Sequence, residues 1–188
     1  MKTLMRGVGV ALVVLASTAG AQSDAYWEFR PMAGIAMPTG PHRQSFGDAA
    51  LVGLQSSVSL TWRWDLVASF GVQPSTTKYS VQNTHATVLV YNFGLERLFR
   101  PQPSRVNELV PFIGGGVGGR AFHFRSSSLE GGACYAGYGN GGVFYERSRT
   151  TVRLEARENV FCFRQPLTPF DEVTRSEASI SLSMGVRL

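Results

Sequence analysis

Arg153, Glu155 and Arg157 recur at every second residue in the stretch Arg153-Leu154-Glu155-Ala156-Arg157. On an extended strand that spacing puts all three charges on one face and Leu154 and Ala156 on the other. Glu28 and Arg30 repeat the spacing near the start of the chain. Cation beside anion beside cation is the chemistry of fixed ion pairs, or of a narrow polar pore where water reaches them. Nucleophilic chemistry has one candidate: His123 precedes Ser126, Ser127 and Ser128, a base close in sequence to three hydroxyls. Metal chemistry has no pattern to rest on, because His42, His85 and His123 sit in or beside different loops without ligand spacing. No catalytic residue, cofactor site or metal site is expected.

The elements that must carry these groups are strands. The end of the chain shows this most clearly: Ile180, Leu182, Met184, Val186 and Leu188 alternate without a break with Ser179, Ser181, Ser183, Gly185 and Arg187. The same period of two predicts eight strands, at about 26–37, 50–62, 66–73, 86–98, 109–124, 133–146, 150–163 and 176–188. Pro31 should disturb pairing in the first of them. The glycines of the fifth stand in no phosphate-cradling context, since neither Lys-Ser/Thr nor a helix follows; they allow curvature and leave room for large neighbours. The turns after the second and sixth strands are short, the one after the fourth, 99–108, is longer, and the connections after the odd-numbered strands are long, a pattern that matches short periplasmic turns and longer outer loops.

Residues 1–21 read as a signal peptide, with Lys2 and Arg6 ahead of an apolar core from Gly7 to Ala16 and a small-residue site at Ala19-Gly20-Ala21. Residues 22–188 are expected to be one barrel domain. The formal charge of +5 falls to +3 without Lys2 and Arg6, and no basic face suggests nucleic acid. Lys78 is then the only lysine left, so Arg carries almost all the positive charge, which suits fixed ion pairs. No later segment reaches the roughly 20 apolar residues of a membrane helix, so a membrane location requires a closed barrel. The charges of Glu28, Arg30, Arg153, Glu155 and Arg157 would then point into the lumen as one polar network. Trp27, Trp62 and Trp64 would sit at the membrane interface.

In the hairpin of the sixth and seventh strands, a turn at Arg147-Ser148-Arg149 sets Gly141, Gly139 and Gly137 opposite Glu155, Arg157 and Asn159. The same register sets Cys134 opposite Cys162, within disulfide reach in an oxidising compartment, and a Cys134–Cys162 disulfide is expected.

The signal, the eight amphipathic strands, the Val110-Pro111-Phe112-Ile113-Gly114 opening and the Arg153–Arg157 stretch make the chain resemble the small bacterial outer-membrane β-barrel domain family. The resemblance covers nearly all of residues 22–188. Chains of this class usually end in Phe or Trp, whereas this one ends in Leu188. The resemblance implies an eight-stranded antiparallel up-and-down transmembrane barrel in the outer membrane of a Gram-negative bacterium. It implies a monomer in contact with outer-membrane lipid and with the barrel-assembly machinery during biogenesis. The role expected is non-catalytic: structural, surface-interacting or narrowly porin-like. A soluble periplasmic ligand-binding barrel would need the apolar faces turned inward. A resemblance to the lipid A deacylases, small barrels that usually show His-x-Ser on one strand face, would imply an enzyme acting on lipid A, but His123-Phe124-Arg125-Ser126 breaks that spacing.

Overall fold

The computed structural model describes residues 26–40, 43, 46–77, 84–101, 107–125, 132–147, 149–164 and 172–188. The expected signal peptide, His42 and Ser126–Ser128 lie outside these residues. Eight strands follow in chain order: β1 (Trp27–Thr39), β2 (Ala49–Thr61), β3 (Trp64–Thr77), β4 (Thr84–Leu98), β5 (Glu108–Phe124), β6 (Ala133–Arg147), β7 (Thr150–Arg164) and β8 (Glu172–Arg187). Each pairs antiparallel with the next, and β8 returns to β1, so the sheet closes and no edge is left open.

The faces sort as the alternation requires. Phe29 and Ile35 of β1, Leu54 of β2, Phe70 of β3, Phe93 and Leu95 of β4, and Leu182 and Met184 of β8 are exposed on the outer wall. Glu28, Arg30, Gln55, Glu96, Arg120, Arg153 and Glu155 are buried inside. This is inverted relative to a soluble barrel and overturns the arrangement that a ligand-binding periplasmic barrel needs. Pro31 keeps its place opposite Leu54, but the β1–β8 ladder lapses at Arg30 and Pro31 and resumes at Met32↔Ser183 in the same register. A residue without an N–H cannot contribute to that ladder.

Two turns are tighter than expected. β3 begins at Trp64, so the β2–β3 turn is Trp62-Arg63, and a register irregularity at Ser59–Thr61 accommodates it. Arg147 pairs with Thr150, which shortens the β6–β7 turn from three residues to two.

The second change corrects the hairpin by one residue. Gly142 lies opposite Glu155, Asn140 opposite Arg157 and Tyr138 opposite Asn159, in place of Gly141, Gly139 and Gly137. A slip of one exchanges the faces of a strand. Gly137 and Gly139 therefore face outward, where a Cβ would meet nothing, and Tyr138, Asn140 and Phe144 turn in. The Cys134–Cys162 disulfide falls with the register: Cys134 pairs with Arg120 of β5, Cys162 pairs with Thr174 of β8, and both are free thiols.

Candidate functional site: the charged lumen

The inner faces of β4, β5 and β7 converge on one guanidinium. Arg153 donates from Nη1 to Glu96 Oε2 at 2.8 Å and from Nη2 to Glu96 Oε1 at 2.6 Å, a two-point clamp across the lumen. Its Nε and Nη2 also donate to Glu155 Oε2 at 3.0 and 2.7 Å. Arg157 donates from Nε to the other oxygen of Glu155 at 2.7 Å. Gln55 and Asn140 donate to Glu155 at 3.2 Å each, and Asn140 to Glu96 at 2.7 Å. Glu96, Arg153 and Glu155 are all buried. The Arg153 guanidinium lies 3.7 Å from the Phe112 ring centroid and that of Arg157 4.5 Å from Tyr138.

Gly114 makes this cluster possible. A Cβ there would come within 2.6 Å of Glu96 Cγ and 2.7 Å of Asn140 Oδ1. The expectation that glycine in this strand leaves room for large neighbours holds at this position.

Two smaller charge clusters flank the centre. Toward the end with the short turns, Arg30 pairs with Glu28 at 3.1 Å, Thr151 donates its hydroxyl to Glu28, and Arg187 pairs with Glu146. Arg100 reaches Glu146 at 3.1 Å, and Ser59 donates to Asp65 at 2.9 Å. Toward the end with the long loops, Arg120 pairs with Glu177 at 3.3 Å and Gln73 donates to the same oxygen at 3.1 Å. All five charges expected in the lumen are there, but they divide between the first cluster (Glu28, Arg30) and the central one (Arg153, Glu155, Arg157). The sequence reading missed Glu96, Arg120 and Glu177 as partners. Glu96 carried a signal, since it shares the polar face of Asn92 and Gly94.

Apolar side chains separate and cap these clusters. Leu98, Val110, Phe112 and Phe144 form an inward layer near the short turns. At the loop end, Phe46, from the β1–β2 connection, packs in the mouth with Ala86, Val88, Val90, Phe122, Phe124, Ala136 and Phe161. The Phe46 ring lies 5.8 Å from that of Phe122, which lies 6.2 Å from that of Phe161. Between cap and clamp, a cavity lined in part by Arg120, Arg157, Asn159 and Ser179 has a volume of about 10 Å³. That is room for about one water.

The closed eight-stranded antiparallel sheet has counterparts among solved structures. The outer membrane protein OprG of Pseudomonas aeruginosa matches with a TM-score of 0.60 at 11% identity, over 87% of this chain and 95% of that one. Neisserial surface protein A matches with a TM-score of 0.65 at 10% identity, over 88% and 100%. Ail, the attachment invasion locus protein of Yersinia pestis, matches with a TM-score of 0.56 at 12% identity, over 87% and 98%. The fold is that of the eight-stranded outer-membrane β-barrels. These neighbours are bacterial outer-membrane proteins, and the lipid-compatible wall is consistent with the same location. No protein-family model matches the chain, and no curated protein matches it.

Trp62 and Trp64 are exposed on the outer wall at the short-turn end, and Trp27, half-buried there, stacks on Phe29 with ring centroids 6.4 Å apart. His85 and His123 are exposed on the wall near the loop end, on β4 and β5. Among the described residues no group of three or more His, Cys, Asp or Glu could hold a metal ion.

Proposed function

We propose that this is an outer-membrane barrel with an ion-paired plug in place of a pore, non-catalytic, serving a structural or surface-interaction role. The observation that carries this reading is the Glu96–Arg153–Glu155 clamp, which spans the lumen from β4 to β7 with apolar layers on either side. An eight-stranded barrel is just wide enough for its own side chains, so a lumen filled in this way leaves no continuous path. With the lumen closed, contact with other molecules falls to the outer wall and the loops. The monomer offers lipid a complete apolar belt, and the short-turn end faces the periplasm, with Trp27, Trp62 and Trp64 at the headgroup level.

Planar-bilayer recording tests the plug. The refolded protein should give no single-channel steps, and Arg153→Ala combined with Glu96→Ala should introduce them by emptying the centre. Regular steps from the unmodified protein would replace the plug with a narrow pore.

A further inference from the structure

Around the β2–β3 turn, the outer wall carries Trp62, Arg63 and Trp64, and beside them Arg97 and Phe99 at the end of β4. Trp64 is the direct cross-strand partner of Arg97, and the Arg63 carbonyl accepts from the Leu98 N–H at 2.8 Å, so the two segments form one patch. The Arg63 guanidinium lies 3.9 Å from the Trp62 ring centroid and that of Arg97 5.6 Å from Phe99. Trp62, Trp64 and Phe99 are 39%, 42% and 50% exposed.

Neither guanidinium has a carboxylate partner among the described residues. The acidic residues at this end, Glu28, Asp65, Glu96 and Glu146, are buried on the lumen side, and half-buried Glu108 shares the inward parity of Val110 and Phe112. The patch is therefore cationic without local compensation. Along β4, Leu95 and Phe93 continue outward from it as an apolar track.

We propose that Trp62, Arg63, Trp64, Arg97 and Phe99 form a headgroup site for one anionic phospholipid of the leaflet at the short-turn end. The two planar guanidiniums take the phosphate oxygens, a geometry for which Arg is better suited than Lys. The aromatic rings hold both arginines at headgroup depth, and the acyl chains run along Leu95 and Phe93. The site rests on the membrane-barrel reading above.

Native mass spectrometry of the refolded full-length protein, titrated in zwitterionic detergent with phosphatidylglycerol or phosphatidylcholine, tests it. One phosphatidylglycerol should be retained roughly tenfold more tightly than phosphatidylcholine. Arg63→Gln with Arg97→Gln should abolish that preference. Arg147→Gln with Arg149→Gln, two arginines exposed at the β6–β7 turn, should leave it intact. Equal retention of the two lipids, or equal loss in both double variants, would overturn the site. A heat-dependent gel shift of the same samples reports the barrel separately: its absence would overturn the membrane reading, whereas a shift without lipid preference overturns only the site.

Discussion

Arg153 is the residue on which the lumen depends most. It is buried with two carboxylates in contact, and Glu155 is shared with Arg157. Removing one partner from a buried ion pair leaves an uncompensated charge, which costs about 3–5 kcal/mol. Arg153→Met should therefore destabilise the folded barrel by about 3–5 kcal/mol in urea titrations in lipid vesicles, since it leaves Glu96 without its clamp. Replacing Glu96 and Arg153 together with apolar residues of similar size should cost less than Arg153→Met alone, because no unpaired charge remains. Gly185 of β8 belongs to the same scale: a Cβ there would run into Arg30, Glu28 and Thr151. The smallest side chain on that strand is what admits the charges of β1.

At the scale of elements, the β6–β7 hairpin shows how much depends on one turn residue. A two-residue turn turns Tyr138, Asn140 and Phe144 inward, where Asn140 bonds both Glu96 and Glu155. It also separates the cysteines. Cys162 is exposed on the outer face of β7, while Cys134 follows the inward parity of Ala136 and packs against the cap of the mouth. The unfolded protein, never exposed to reductant, should show two alkylatable thiols by mass spectrometry. A mass lower by two hydrogens with no alkylation would contradict the register.

For the whole molecule, closure and the inverted faces make the prediction. Each strand satisfies its neighbours' backbone groups, and the wall presents apolar side chains all round, so the barrel should resist detergent until heated. Unheated protein should migrate differently from heated protein on a detergent gel, with no further change on adding reductant. Absence of the heat-dependent shift would remove the barrel.

Strand number, the faces of the strands other than β6 and the inward direction of Glu28, Arg30, Arg153, Glu155 and Arg157 were legible because period-2 alternation is a local property, carried within each strand. β4 and β8 illustrate this: Leu89, Tyr91, Phe93 and Leu95 face out, as do Ile180, Leu182, Met184 and Val186. Register was not legible at β6, where the glycines leave the alternation weak and either parity fits the pattern. The partner of Arg153 was equally hidden, because Glu96 comes from a strand 57 residues earlier in the chain. Phe46 gave no sign of its place in the mouth, since a loop residue has no face until the barrel closes beneath it. The sequence alone determined which residues point inward where the alternation is unbroken; closure of the barrel, which fixes register across every seam, decided the inward face of β6 and which of the inward residues meet.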